Sequence, residues 1–114
     1  MFKLEVRESD QNPLVFLLKE GTYSVGRNSD NDIVLVDSSV SRSHCLIFIK
    51  SNYAEIEDLS SANGVMVDGE RIGGRVEIKR DVEFLIGESR AYLRADDFEN
   101  ASETTIFHRG DLKR

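Results

Sequence analysis

Residues 53–72, YAEIEDLSSANGVMVDGERI, decide the fold. From Tyr53 to Leu59 apolar and charged side chains alternate, the period-two mark of a strand with one buried face. Val65 and Val67 resume the alternation. Asp68-Gly69 then stands before Arg71-Ile72, a tight-hairpin pair, because both central residues of such a turn take positive φ. The pattern extends in both directions. Phe2, Leu4 and Val6 alternate with Lys3, Glu5 and Arg7, and residues 14–18 form a short apolar run. Tyr23 and Val25 lead into Gly26, and residues 33–36 and 46–49 are apolar runs. Val76 and Ile78 precede the segment 82–86, and Ala91 and Leu93 close the series. Gly, Asn, Asp and Ser clusters separate these runs at short intervals. About ten short strands punctuated in this way predict an all-β sandwich rather than alternating strands and helices. No segment before residue 95 has helical spacing. The expected organisation is one domain over 1–95 and a less regular tail or linker over 96–114, DDFENASETTIFHRGDLKR.

Composition narrows the function. The chain has 114 residues, with 15 Lys and Arg against 21 Asp and Glu, a net charge of −6. That balance argues against a general nucleic-acid binder, which needs a basic footprint to displace phosphate counterions. It argues equally against docking on an anionic membrane surface. A small local basic pocket remains open, since charges beyond about 8 Å are screened at physiological salt. The single cysteine, Cys45, excludes an internal disulfide and a cysteine-based zinc cluster. The charged N-terminus MFKLEVRESD lacks an apolar signal core, and no run approaches 18 apolar residues. These features place the chain in the cytoplasm, and nothing in them calls for a cofactor or metal.

Three loops carry groups able to do chemistry. Gly26-Arg27 lies at a strand end, where Gly lets the chain bend and Arg presents a planar fork suited to phosphate. An arginine there is also, more often, a solvated surface charge. In Val40-Ser41-Arg42-Ser43-His44, a hydrolytic reading makes Ser41 or Ser43 the nucleophile and His44 its base. That reading lacks a Gly-x-Ser-x-Gly elbow and a carboxylate spaced to orient the imidazole. A buried His44 bonded to loop backbone is the stronger alternative. In Ser60-Ser61-Ala62-Asn63-Gly64, the Asn-Gly pair taken alone reads as a hairpin turn.

Taken together, the segments GRNSDNDIVL, VSRSHCLI and DLSSANGVMVDGERI resemble the forkhead-associated (FHA) domain, through Gly26-Arg27, Ser41-x-x-His44, Asn63-Gly64 and Asp68-Gly69. The resemblance runs from residue 2 to about 94. It implies an eleven-stranded β-sandwich that binds phosphothreonine peptides through loops at one end, a protein–protein interaction module of serine/threonine kinase signalling and not an enzyme. It implies that Arg27 and Ser41 contact the phosphate, that Arg42 adds a further contact and that Asn63 holds the peptide backbone. Gly26, His44 and Gly64 are then architectural. Ala62 departs from the family, which often has Ser or Thr there touching the phosphate; Val65 and Asp68 stand where Thr and Asn are usual. A scaffold that keeps the fold without phosphate binding is the alternative that Ala62 suggests.

In the tail, Glu103-Thr104-Thr105-Ile106-Phe107 resembles the Glu-Thr-Thr motif that bacterial serine/threonine kinases phosphorylate in some FHA proteins. The resemblance makes Thr104 and Thr105 candidate phosphorylation sites, with Phe107 third after Thr104. About ten residues separate Leu93 from Thr104, a reach of about 33 Å at full extension. A domain of this length is about 35 Å across. The family fold puts both termini away from the binding loops, so a phosphorylated tail is expected to reach a second copy more readily than its own domain.

Overall fold

The computed structural model of the chain describes residues 1–8, 12–78 and 81–95. The strands are β1 (Phe2–Arg7), β2 (Leu14–Leu18), β3 (Gly21–Gly26), β4 (Ile33–Val34), β5 (Cys45–Ile49), β6 (Ala54–Asp58), β7 (Val65–Val67), β8 (Glu70–Arg71), β9 (Arg75–Ile78), β10 (Val82–Ile86) and β11 (Ser89–Ala95). Among the described residues there are eleven strands and no helix, so none is long and apolar enough to cross a membrane. The expected all-β sandwich is the observed fold.

One sheet has the order β2-β1-β11-β10-β7-β8 and the other β4-β3-β5-β6-β9. All strand pairs with recorded register are antiparallel except β3 with β4. Alternation decides which side chains enter the space between the sheets. Leu4 and Val6 of β1, Ile47 and Ile49 of β5, Ile56 of β6 and Leu93 of β11 are buried in one shared core. Glu5, Glu55 and Glu57, one residue out of phase, keep partial contact with solvent. Burying a Leu or Ile side chain stabilises by about 1.5–3 kcal/mol, and here both sheets contribute to the same cluster.

Two local outcomes differ from the sequence pattern. The apolar run at 33–36 forms only two residues of strand. Leu35 still enters the core and its N–H donates to Gly26 O at 3.0 Å, whereas Val36 is 61% exposed. The chain turns away there to begin the long β4–β5 loop. The second difference concerns Asn63-Gly64. It does not close a hairpin, because β6 and β7 belong to different sheets. Residues 59–64 instead carry the chain across the end of the sandwich. Asp68-Gly69 does close one: φ is 53° and 82°, and Val67 pairs with Glu70.

Strand direction puts three connections at one end. Val25 pairs with Cys45 and Cys45 with Asp58, so β3 and β6 end where β5 begins. On the other sheet, Val65 pairs with Ile86, which brings the Gly87-Glu88 turn to the same end. Phe2 pairs with Ala95 at the far end of β1 and β11.

Candidate functional site

The loop from Ser39 to Ser43 is the hub of that end. Its carbonyls take bonds from the β3–β4 loop. Arg27 N–H donates to Ser41 O (3.0 Å), Asn28 N–H to Arg42 O (3.2 Å), and Asn31 Nδ2 to Arg42 O (2.8 Å). The Arg27 side chain lies along the same loop, with Nε donating to Val40 O at 2.6 Å. On the other flank, Ala62 N–H donates to Ser41 Oγ (3.0 Å) and Asn63 Nδ2 to Ser39 O (2.8 Å). Ser39 Oγ accepts from Glu88 N–H at 2.7 Å, which ties in the second sheet. Arg27, Ser41, Arg42 and Asn63 are thus brought into one bonded cluster, through main-chain atoms in the case of Arg42.

His44 holds the cluster from beneath. It is wholly buried, immediately before the first residue of β5. Nδ1 accepts from Ser41 N–H at 2.9 Å, and Nε2 lies 2.8 Å from Gly64 O. An acceptor at Nδ1 requires the neutral tautomer with hydrogen on Nε2, which then donates to Gly64 O. Its own N–H and C=O pair with Val25 O and Leu59 N–H. Both ring nitrogens are therefore engaged with backbone, and neither is left to take a proton from Ser41 or Ser43. The geometry makes the ring a brace between two loops.

Two glycines permit close approach, for different reasons. Gly26 has ordinary φ, but a Cβ there would run into Arg42 O and come within 2.7 Å of Asn31 Nδ2. Gly64 combines φ of +79° with the Arg71 side chain lying over it. Its N–H donates to Ser61 Oγ (2.9 Å), and its carbonyl accepts from Gly87 N–H (3.1 Å) as well as from His44. Ser61 Oγ in turn donates to Asp58 Oδ1.

What the cluster leaves unspent gives it chemical capacity. Arg27 and Arg42 are exposed. Among the described residues, the Nη groups of Arg27 and the whole Arg42 guanidinium have no hydrogen bond or ion pair. Ser41 Oγ accepts one bond and keeps its own proton to donate. Asn63 keeps one N–H and its carbonyl. Ala62 supplies a backbone N–H to Ser41 and has no side-chain donor. Thr104 and Thr105 lie outside the described residues. Among those residues no group of three potential metal ligands occurs. Cys45 is buried in the core, and burial, then the Asp58 carboxylate, push its thiol far above the ordinary range. It stays protonated at neutral pH and packs as a small apolar group.

Sequence reasoning missed Ser39, Asn31, Ser61 and Arg71. Asn31, Arg71 and Ser39 act on residues brought near by the fold, and Ser39 reaches Glu88, 49 positions away; Ser61 links Asp58 and Gly64, three positions to either side. Only the general habit of Ser and Asn to bond loop backbone pointed to Ser39, Asn31 and Ser61, and nothing pointed to Arg71.

The FHA domain model matches residues 23–87. Glycogen accumulation regulator GarA of Mycobacterium tuberculosis is 37% identical over 75 residues, covering 66% of this chain and 46% of GarA. The chain thus matches about half the length of that relative. Among solved structures, the FHA domain of the CT664 protein from Chlamydia trachomatis has a TM-score of 0.77 and 35% identity, covering 84% of this chain and 98% of that one. Mycobacterium tuberculosis EmbR, solved in complex with a low-affinity phosphopeptide, has a TM-score of 0.67 and 29% identity, covering 81% and 24%.

Proposed function

The chain belongs to the FHA domain family, and from that premise we propose that it is a phosphothreonine-dependent protein–protein interaction module in serine/threonine kinase signalling. The reading rests on one observation: Arg27, Ser41 and Asn63 are anchored to a single braced loop while their outward donors have no partner among the described residues. EmbR, whose FHA fold this chain shares, was solved with a phosphopeptide.

A phosphothreonine brings nearly two negative charges and three acceptor oxygens. Arg27 Nη groups and the Ser41 hydroxyl bind the phosphate, Arg42 adds a charged contact from the same loop, and Asn63 holds the ligand backbone. Gly26, His44 and Gly64 fix the loop spacing. Each charged hydrogen bond contributes about 1.5–3 kcal/mol net. Two of them favour the phosphorylated ligand at least about a hundredfold. The missing hydroxyl at Ala62 lowers the donor count by one, and Arg42 makes up for it with a cation. The loops are set before the ligand arrives, so little ordering cost is left for binding. Fluorescence anisotropy with a labelled threonine peptide and its phosphorylated form tests the reading. A preference of about a hundredfold or more for the phosphopeptide is expected. Equal affinity contradicts it and leaves an FHA scaffold without phosphate recognition.

The tail is a second ligand source within this reading. Ala95 sits at the end of the sheet away from the Gly87-Glu88 turn. Strand β11 spans about 23 Å at about 3.3 Å per residue. The nine peptide steps from Ala95 to Thr104 reach at most about 31 Å. A phosphorylated Thr104 must retrace the domain before it meets its own loops, whereas a neighbouring copy imposes no such path. Light scattering on the phosphorylated chain is expected to show association. A strictly monomeric species with an occupied site contradicts it.

A further inference from the structure

A third guanidinium stands against the same loops, over Gly64 and bonded to Ser61. Backbone geometry puts it there. After the Asp68-Gly69 turn, Met66 pairs with Arg71, and Ile72 N–H donates to Val65 O at 2.9 Å. This register lays the Arg71 side chain over Gly64. A Cβ on Gly64 would come within 2.8 Å of Cζ and 2.9 Å of Cδ. Nη2 donates to Ser61 O at 3.0 Å. The head group thus touches residues 61 and 64, and the two residues between them are those that reach Ser41 and Ser39.

The charge on Arg71 is not used by the fold. The residue is exposed, and among the described residues it makes no ion pair. Asp58, the acid that shares Ser61 with it, is bonded to the Ser61 hydroxyl and N–H. A brace to one carbonyl needs one neutral donor. Arg71 spends a single N–H on it and keeps four in a rigid planar fork that matches a carboxylate. The whole chain carries −6, so an acidic ligand gains nothing at long range and must be held by cations within a few ångströms.

We propose that Arg71 is a specificity-determining residue of the peptide site, pairing with a carboxylate side chain a few positions from the phosphothreonine. The inference rests on the phosphothreonine reading above. Arg27 joins the loop at Val40, Ala62 at Ser41 and Asn63 at Ser39, and Arg71 meets the same 61–64 segment at Ser61 and Gly64. The phosphate lies at Arg27 and Ser41, and the flanking acid at Arg71. The ligand class is therefore a phosphothreonine peptide with an acidic flank, as opposed to a phosphopeptide of any context.

The test uses the full chain and a set of labelled peptides. One is a phosphothreonine in an all-alanine context, and the others carry a single Glu at each flanking position. Wild type is expected to bind at least one Glu-containing peptide about five- to tenfold tighter than the alanine parent. Arg71→Gln keeps a neutral donor for Ser61 O, so it separates the charge from the brace. It is expected to erase that preference while leaving affinity for the alanine parent within about twofold. Arg71→Lys is expected to restore part of the preference. Three results overturn the inference: no Glu position favoured by wild type, the same preference in wild type and Arg71→Gln, or an equal loss for all peptides in Arg71→Gln, which marks a brace only. Failure of wild type to prefer phosphorylated over plain peptide overturns the site reading itself, and this inference with it.

Discussion

Asn63-Gly64 and Asp68-Gly69 are dipeptides of one kind, five residues apart, and the structure uses them in opposite ways. Asp68-Gly69 is a self-sufficient turn. Both residues have positive φ, and a Cβ on Gly69 would meet nothing within 4 Å. Asn63-Gly64 crosses between the sheets. Gly64 alone takes positive φ, and its neighbours come from Ser61, His44, Gly87 and Arg71. The first pair shapes its own two strands. The second is shaped by the rest of the domain, and that dependence is what lets it hold the proposed binding site steady.

The sharpest way to break this contrast is at the brace. His44→Ala leaves Ser41 N–H without its partner, takes from Gly64 C=O one of its two donors and opens a void in a fully buried position. The orphaned N–H costs about 1–3 kcal/mol. With the void, a loss of about 3–5 kcal/mol is expected in urea unfolding. A loss below about 1 kcal/mol would show that the crossing loop stands without the imidazole.

The glycines come next. At Gly69, alanine meets only backbone strain, so Gly69→Ala is expected to cost about 1 kcal/mol. At Gly64 the same strain is joined by collision with Arg71, and Gly64→Ala is expected to cost about 2–4 kcal/mol and to weaken peptide binding. Equal costs at the two positions dissolve the distinction between a local and a long-range turn. Ser39→Ala removes the acceptor of Glu88 N–H and is expected to cost about 1 kcal/mol by the same assay. The smallest effect lies away from both turns. Ser89 is fully buried and, among the described residues, its hydroxyl has no hydrogen-bond partner. Ser89→Ala is expected to be neutral or to stabilise by up to about 1 kcal/mol, and a loss above that reveals a bond the hydroxyl makes in solution.

Legibility in the sequence followed the same divide. Strands such as 54–58 and the 68–69 turn were readable because their cause is local, a two-residue period or a dipeptide that tolerates positive φ. At 33–36 the apolar run holds two core residues and the strand is only two residues long, since apolar character cannot say whether a residue stays in a ladder. Arg27, Ser41 and His44 stood out by residue type, and resemblance to a family joined them with Asn63 into one site; residue type alone left Asn63 as a hairpin residue. The bonds that unite them span 13 to 24 positions, apart from the short link between Ser41 and His44. Arg71 carried no signal at all, because its relevance comes from lying across Gly64 after both sheets have formed.

The central claim is that this end of the sandwich recognises a phosphate through the exposed guanidinium of Arg27. Titrating Arg27→Ala with a phosphothreonine peptide, alongside urea unfolding of the same variant, tests it most directly. Affinity for the phosphopeptide is expected to fall about a hundredfold or more, to the level of the unphosphorylated peptide, while stability changes by no more than about 1 kcal/mol. Retained affinity, or a loss of binding matched by unfolding of the domain, contradicts the account.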